Sequence, residues 1–222
     1  MFMSGGRKMP ARFSFVIVVV LAVTPAQADM GADLVARGNA HGAIACGACH
    51  GATGAGNPQL GYPRLSGMPA KYTVRQLDAF AEGSREHPTM AGIAKALSPD
   101  ERRAVAAYFE TAQAPEAAHS GGGDLSRGGS LARDGDWSKG LPACGQCHGA
   151  DGGGVSPDFP PLAGQSESYL KAQLEAWRQG KRIDDPLHLM TAVATKLADE
   201  DVAAVAAYYA GLSPNGAGEV RR

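Results

Sequence analysis

The feature that most constrains this chain is an internal repeat, because two copies of one motif fix both the domain number and the chemistry. Segment 45–51 reads Ala-Cys-Gly-Ala-Cys-His-Gly, and segment 143–149 reads Ala-Cys-Gly-Gln-Cys-His-Gly, at an offset of 98 residues. Further matches follow in the same order: 62–67 with 159–164, Tyr72 with Tyr169, Phe80 with Trp177, Met90 with Met190, and 106–109 with 206–209. Such an ordered set of matches predicts two homologous domains.

The segments outside the repeat have simpler compositions. Three basic residues precede an apolar run at 13–23, and small residues lead to Ala28. This layout is typical of a secretory signal peptide that is cleaved after Ala28. An Ala-, Pro- and Gly-rich stretch without apolar periodicity separates the two copies, as in a linker. We therefore predict a signal peptide at 1–28, a first domain at 29–113, a linker at 114–123, a second domain at 124–213 and a tail at 214–222.

Apolar side chains recur with helical spacing in both copies. Thr73, Leu77 and Phe80 fall at i, i+4 and i+7, and segment 170–177 has the same pattern. No useful length of chain alternates with a period of two residues, as a half-buried strand would. The sequence therefore predicts an all-α fold in two tandem domains.

The last helix of each copy is expected to begin differently. Ser98 can cap the first of these helices, because Glu101 stands three residues later and completes a capping box. The equivalent position in the second copy is Ala198, which has no hydroxyl group. We expect a weaker start there, unless Asp199 caps the helix one residue later.

All four cysteines belong to the repeated motif, and each pair is followed at once by a histidine. C-x-x-C-H is the attachment signature of haem c, in which two thiols form thioethers and the histidine coordinates the iron. A zinc ribbon needs its two C-x-x-C halves about 15–20 residues apart, and here they are 98 residues apart. A thioredoxin-like dithiol needs a βαβ context, which the predicted all-α fold does not offer. We therefore predict two covalently bound haem c groups. Their thioethers would come from Cys46, Cys49, Cys144 and Cys147, and their proximal ligands would be His50 and His148.

The sixth ligand of each iron is predicted from the repeat. Met90 and Met190 lie 40 and 42 residues beyond their haem histidines and occupy equivalent positions. Methionine is a common axial ligand that raises the reduction potential of haem. Met30 has no partner in the second copy, and Met68 aligns with a glutamine. His87 and His188 lie close to these methionines and are rival ligands. A bis-histidine arrangement therefore stays open. His41 and His119 have no repeat partner and are expected to face solvent.

Composition excludes several other classes of protein. The net charge is −1, so no basic excess points to nucleic acid. No apolar run reaches the ~18 residues that span a bilayer, so a multi-span membrane protein is excluded. Only 14 of 222 residues are aromatic. Because small domains bury marginal cores, we expect an apolar prosthetic group to complete each one and the apo-protein to fold poorly.

Together these motifs resemble the cytochrome c4 family, in which two class I cytochrome c domains stand in tandem behind a signal peptide. The resemblance covers roughly residues 31 to 212, including the Pro-x-Leu-x-Gly segments at 63–67 and 160–164. It implies that the carbonyl groups of Pro63 and Pro160 accept a hydrogen bond from the haem histidines. It further implies periplasmic electron transfer, often peripheral to the membrane and feeding a terminal oxidase.

Two classes of function remain open at this stage. The leading hypothesis is a carrier of single electrons, with His/Met ligation of both irons and no site for a substrate. Its donor would be a quinol-oxidising complex or a dehydrogenase. The alternative is a dihaem enzyme of the peroxidase kind, which needs a vacant coordination position and acid–base groups above it. An intermediate possibility is a cytochrome subunit that serves a periplasmic dehydrogenase.

Overall fold

The computed structural model describes residues 25–113 and 124–214, and over these ranges the regular structure is helical. The only β pairings there are isolated bridges, so the predicted all-α class is confirmed. The predicted linker lies outside the described residues, as do positions 1–24 of the predicted signal peptide and all of the predicted tail after Pro214. No described helix is long and apolar enough to cross a membrane.

Each domain uses five helices in the same order. The first domain contains α1 (Pro25–Arg37), α2 (Gly47–His50), α3 (Ala70–Glu82), α4 (Pro88–Lys95) and α5 (Pro99–Thr111). The second contains α6 (Leu125–Arg133), α7 (Gly145–His148), α8 (Glu167–Arg178), α9 (Leu189–Ala194) and α10 (Asp199–Ala210). Single 3-10 turns occupy Pro58–Leu60, Trp137–Lys139 and Pro186–His188. The helical spacing identified in the sequence falls in α3 and α8, whose buried faces include Leu77, Phe80, Leu174 and Trp177.

A glycine lets the first and last helix of each domain approach closely. In the first domain, a Cβ atom on Gly31 would lie 2.5 Å from the carbonyl oxygen of Ala104. In the second, a Cβ atom on Gly128 would lie 2.2 Å from the carbonyl oxygen of Ala204. These distances are far below van der Waals contact, so only glycine allows the crossing of α1 with α5 and of α6 with α10.

The two last helices begin differently, and the alternative of a cap by the Asp199 side chain is not observed. Ser98 and Glu101 form the predicted capping box, with hydrogen bonds of 3.2 and 2.7 Å. In α10 the helix starts at Asp199, whose carboxylate binds Arg178 rather than a backbone N–H. Instead, the Asp201 side chain accepts a hydrogen bond of 3.3 Å from the backbone N–H of Ala198, the N-cap residue. That single contact needs no hydroxyl group on residue 198.

The domains meet through the segments that follow α3 and α8. The backbones of Arg85 and Arg182 form an antiparallel bridge. On its two sides, the N–H of Glu86 donates to the carbonyl of Lys181 at 2.7 Å, and the N–H of Ile183 donates to that of Ser84 at 2.8 Å. Arg182 lies 97 positions after Arg85, the same offset that relates Tyr72 to Tyr169, so the contact relates the domains by an approximate two-fold symmetry.

The side chains of this interface exchange partners with the same symmetry. The guanidinium of Arg85 donates to the side-chain oxygens of Gln76 at 2.7 Å and Gln173 at 2.5 Å. That of Arg182 donates to the same two oxygens, at 2.7 Å for Gln76 and 3.0 Å for Gln173. Each arginine thus binds one glutamine of its own domain and the equivalent glutamine of the other.

Two tyrosines and one carboxylate complete the cluster. Arg85 donates to the hydroxyl of Tyr169 at 2.7 Å, and Arg182 donates to that of Tyr72 at 3.1 Å. Asp184 binds the Nε atom of Arg182 at 2.9 Å, and both of these side chains are almost fully buried. Burial would lower the pKa of Arg182, but the oxygen atoms of Tyr72, Tyr169 and Asp184 raise it above its ordinary value. The arginine therefore remains charged inside the interface.

We expect Arg182→Met to weaken the interface strongly. The substitution leaves the buried Asp184 carboxylate without its cation, and breaking a buried ion pair in this way costs about 3–5 kcal/mol. Calorimetry should then resolve two unfolding transitions, whereas we expect the native chain to unfold in a single coupled one. The control is Arg75→Gln, which removes a partly exposed contact with Asp158 between the same domains and should cost less than about 1 kcal/mol. Equal losses in the two variants would contradict this account.

We also expect Gly128→Ala to destabilise the second domain. The new methyl group would press on the backbone of Ala204, and overpacking of this kind costs about 1–3 kcal/mol. Gly92→Ala is the matched control, because Gly92 lies within α4 and a Cβ atom there has no neighbour within 4 Å. That control should be neutral or stabilising by up to about 1 kcal/mol. The free energy of unfolding in urea measures both effects.

Candidate haem-binding sites

The C-x-x-C-H motifs form single helical turns, α2 and α7. The N–H of His50 donates to the carbonyl of Cys46 at 2.9 Å, and that of His148 donates to the carbonyl of Cys144 at 3.0 Å. One turn therefore brings each histidine and the first cysteine of its motif together. All four cysteines are free and half-buried. Burial raises the pKa of Cys46, and it raises the pKa of Cys144 to about 11. Each of these two cysteines packs against an apolar cluster.

The histidine of each C-x-x-C-H motif is held by a proline carbonyl group. The Nδ1 atom of His50 lies 3.0 Å from the carbonyl oxygen of Pro63, and that of His148 lies 2.9 Å from that of Pro160. A carbonyl oxygen can only accept, so Nδ1 carries the proton and Nε2 keeps its lone pair. Burial lowers the pKa of both histidines, which favours the neutral ring. A neutral, oriented imidazole with a free Nε2 atom is what an iron ligand requires.

The prolines are placed by a turn that depends on a glycine. In the first domain, the N–H groups of Leu65 and Ser66 donate to the carbonyl of Gly54 at 2.7 and 3.1 Å. Gly54 has a φ of +74°, and a Cβ atom there would lie 2.6 Å from the ring of Phe109 in α5. The second domain repeats this arrangement with Gly152 against Tyr209. The aromatic end of the last helix thus supports the segment that orients the histidine.

Met90 and Met190 take equivalent places beside the two cores. Met90 is half-buried and packs with Cys46 against the cluster that contains Leu77 and Phe80. Met190 packs with Cys144 against the equivalent cluster, which contains Leu174 and Trp177. In each domain the methionine and the first cysteine of the motif therefore border the same apolar cluster. Ligation by these methionines remains a prediction. The two other candidates lie elsewhere: Met68 is buried, and Met30 is exposed on α1.

The rival histidines occupy other roles or positions. The Nδ1 atom of His87 accepts the backbone N–H of Met90 at 3.2 Å and so caps α4. Burial and the charge of Arg85 lower the pKa of His87. His188 is exposed and has a φ of +53°. His41 is exposed as expected, and His119 lies outside the described residues. These placements favour methionine over a second histidine.

Several contacts of the sites were not anticipated from the sequence. The carboxylate of Asp185 accepts the backbone N–H groups of Met190 and Thr191, and an Asp-Pro pair ahead of a helix is a start signal that could have shown it. The indole Nε1 atom of Trp177 is buried and has no hydrogen-bond partner among the described residues. No local pattern marks an unpaired indole N–H.

The residues present fit a covalently attached haem. Each domain offers two free thiols, a neutral imidazole with its Nε2 lone pair available, and a methionine beside an apolar cluster. The buried indole N–H of Trp177 adds a donor that needs a polar acceptor. In the described residues no cluster of three or more His, Cys, Asp or Glu could hold a bare metal ion.

Comparison with known proteins decides the family. A family model described as cytochrome c matches residues 35–113 and 139–213. The chain belongs to the cytochrome c family. The cytochrome c4 of Pseudomonas aeruginosa is 35% identical over 179 residues, which are 80% of this chain and 88% of that protein. This cytochrome also resembles the solved structure of reduced cytochrome c4 from Pseudomonas stutzeri, with a TM-score of 0.72, 32% identity and coverage of 83% and 98% of the two chains. The resemblance drawn from the sequence is confirmed.

Other relatives carry a more specific description. A protein of Stutzerimonas stutzeri described as thiosulfate dehydrogenase electron acceptor is 44% identical over 206 residues, which are 91% of this chain and 95% of that protein. The solved thiosulfate dehydrogenase TsdBA of Marichromatium purpuratum matches with a TM-score of 0.81 and 41% identity. That match covers 86% of this chain and 41% of the longer one. The cytochrome is a cytochrome c4-like electron carrier and not an enzyme, and its cytochrome c domains imply covalently bound haem c.

Proposed function

We propose that this cytochrome is exported to the periplasm, carries two haem c groups and accepts single electrons from a thiosulfate-oxidising dehydrogenase. The observation that carries the proposal is the complete and equivalent set of haem-binding groups in both domains. The haem-bearing C-x-x-C-H turn, the oriented imidazole and the methionine all occur twice. The relatives described as electron acceptors of thiosulfate dehydrogenase support the choice of donor. The predicted signal peptide at 1–28 supports export.

The protein residues determine how such a carrier works. In the first domain His50 and Met90 would occupy the two axial positions, and in the second His148 and Met190 would do so. Haem iron supplies the one-electron chemistry when bound. The prolines keep each imidazole oriented, and the apolar clusters exclude water. With a histidine and a methionine bound to each iron, no coordination site would be left for a substrate. This arrangement favours a carrier over the peroxidase-like enzyme that the sequence left open.

The partners follow from this role. Between the two donors considered from the sequence, a dehydrogenase rather than a quinol-oxidising complex agrees with the described function of the relatives. The acceptor would be a redox protein such as a terminal oxidase. Transfer to a membrane-bound oxidase would bring the cytochrome to the membrane surface as a peripheral protein. We propose no binding of nucleic acid, because the net charge of the whole chain is −1.

The first test is the mass of the cytochrome purified from its producing cell, combined with a redox titration of the same sample. We expect the loss of residues 1–28 and the gain of two haems, followed by the uptake of two electrons. Cys144→Ala should remove one of the two thioether bonds of the second domain only. A mature protein with a single haem, or with none, would overturn the dihaem assignment.

The second test addresses the axial methionines. Met90→Ala and Met190→Ala should each lower the potential of one haem without releasing it, because methionine ligation raises the potential of haem iron. The far-red charge-transfer band of ferric methionine-ligated haem should fall by half in each variant. Met30→Ala, an exposed position on α1, is the control and should leave the band unchanged. An unchanged band in either ligand variant would contradict that assignment.

The third test addresses the donor. The oxidised cytochrome should be reduced when thiosulfate and a purified thiosulfate dehydrogenase are added together, and should stay oxidised when either is left out. The visible spectrum of reduced haem c follows the reaction. Rapid reduction by a quinol-oxidising complex, with none by the dehydrogenase, would refute the proposed donor while leaving the electron-carrier role intact.

A further inference from the structure

The two methionines are approached by segments of different length and shape. Four residues lie between Arg85 and Met90, whereas seven lie between Arg182 and Met190. Because both arginines belong to the domain interface, both segments start from a fixed point. The three additional residues of the second domain lie in the turn Pro186–His188 just before α9, where the backbone departs from right-handed helical geometry. The repeat is therefore least symmetric next to the proposed sixth ligands.

The longer segment holds a strained backbone. Leu187 and His188 have φ values of +61° and +53°, and these are the only non-glycine residues with positive φ in the described part of the chain. Side chains with a Cβ atom are disfavoured in this left-handed region. Such conformations persist where surrounding contacts determine them fully. Leu187 itself is 86% exposed, so packing of its side chain does not supply the compensation.

The compensating contacts come from Asp185. Its Oδ2 atom accepts the backbone N–H of Met190 at 2.8 Å and that of Thr191 at 3.2 Å, and its Oδ1 atom lies 3.3 Å from the hydroxyl of Thr191. Its backbone carbonyl also accepts the N–H of His188 at 3.1 Å, which closes the turn. One aspartate thus holds both ends of the strained segment and fixes the backbone of Met190.

The base of this arrangement is anchored in the domain interface. Asp185 directly follows Asp184, whose buried carboxylate is paired with Arg182. One residue earlier, the N–H of Ile183 donates to the carbonyl of Ser84 in the other domain. Asp185 therefore has little freedom to move away from Met190.

The first domain holds its methionine by a weaker contact. Among the described residues, the side chain that caps the N–H of Met90 is that of His87, whose Nδ1 atom accepts it at 3.2 Å. His87 is exposed, so water competes for the same donor, whereas the contacts of Asp185 are partly buried. A neutral imidazole is also a weaker acceptor than a carboxylate, because hydrogen bonds to charged groups are stronger.

We propose that Asp185 is a positioning residue that clamps the Met190 segment, so that Met190 is the more firmly held sixth ligand and Met90 is displaced first by an added ligand. The inference rests on the proposed methionine ligation of both haems. In the displacement, the iron–sulfur bond breaks and a bond from iron to the incoming nitrogen forms, without any change in oxidation state. The residue acts through the backbone of Met190 and touches no reacting atom.

The test is an imidazole titration of the ferric dihaem protein, followed by the far-red methionine–iron band. The native protein should lose the band in two equal steps, with the first step belonging to Met90. In Asp185→Ala, the second step should occur at an imidazole concentration about tenfold lower, because hydrogen bonds to a charged group are lost. Asp185→Asn keeps an acceptor and should restore most of the native behaviour.

Control variants assign each titration step to one methionine. They also distinguish a failure of the clamp from a failure of methionine ligation. Glu200→Ala removes an exposed carboxylate from the first turn of α10 and should move neither step. His87→Asp places a carboxylate cap in the first domain and should move the first step to higher imidazole concentration. A native protein without the far-red band would refute methionine ligation itself. With the band present, an unchanged second step in Asp185→Ala would overturn the clamp, and so would an equal shift in Glu200→Ala.

Discussion

The hydrogen bond between the histidine of each C-x-x-C-H motif and a proline carbonyl group is the contact on which the rest of each domain depends. It joins the C-x-x-C-H turn to a segment 12 or 13 residues further along the chain. That segment is tied in turn to the last helix, because the N–H of Gly67 donates to the carbonyl of Phe109 and that of Gly164 to the carbonyl of Tyr209. Three separate parts of the chain thus determine the orientation of one imidazole ring.

The symmetry of the two domains extends to their interface, but not to the methionine segments. Gln76, Arg85 and their counterparts Gln173 and Arg182 exchange partners across an approximate two-fold axis. The departures begin one or two residues later, where Asp184 pairs with Arg182 and the second domain inserts its strained turn. If both methionines bind iron, this asymmetric segment would give the two irons different surroundings, although the domains around them are related by symmetry.

Local patterns made much of this structure predictable from the sequence. The helical spacing placed α3 and α8, the Ser98–Glu101 pair predicted a capping box, and the repeated C-x-x-C-H strings located both candidate haem turns. The cap of α10 was not predictable in this way. Asp201 can accept the N–H of Ala198 because Arg127 of α6 and Lys139 hold its carboxylate in place. Burial would raise the pKa of Asp201, but these contacts hold it below its ordinary value.

The interface between the domains was also not predicted from the sequence, although the repeat matches its two arginines. Arg85 and Arg182 are matched at the same offset as the helices before them, yet nothing local shows that two like charges meet across the domains. Their approach depends on acceptors brought together by the fold, since each guanidinium needs a glutamine from the opposite domain. The same limit applies to Gly31 and Gly128, whose necessity appears only when the crossing helix is in place.

A buried cluster of two arginines and one carboxylate is a costly way to hold two domains together. Apolar side chains of similar volume would often stabilise such an interface equally well, because the desolvation of charges offsets most of their attraction. The cluster instead fixes the orientation of one domain relative to the other, since the planar guanidinium groups bind their acceptors in fixed geometry. A carrier that moves electrons between two prosthetic groups needs a constant separation and orientation of its domains. The arginine pair provides that constancy at the base of the two segments that lead to the proposed iron ligands.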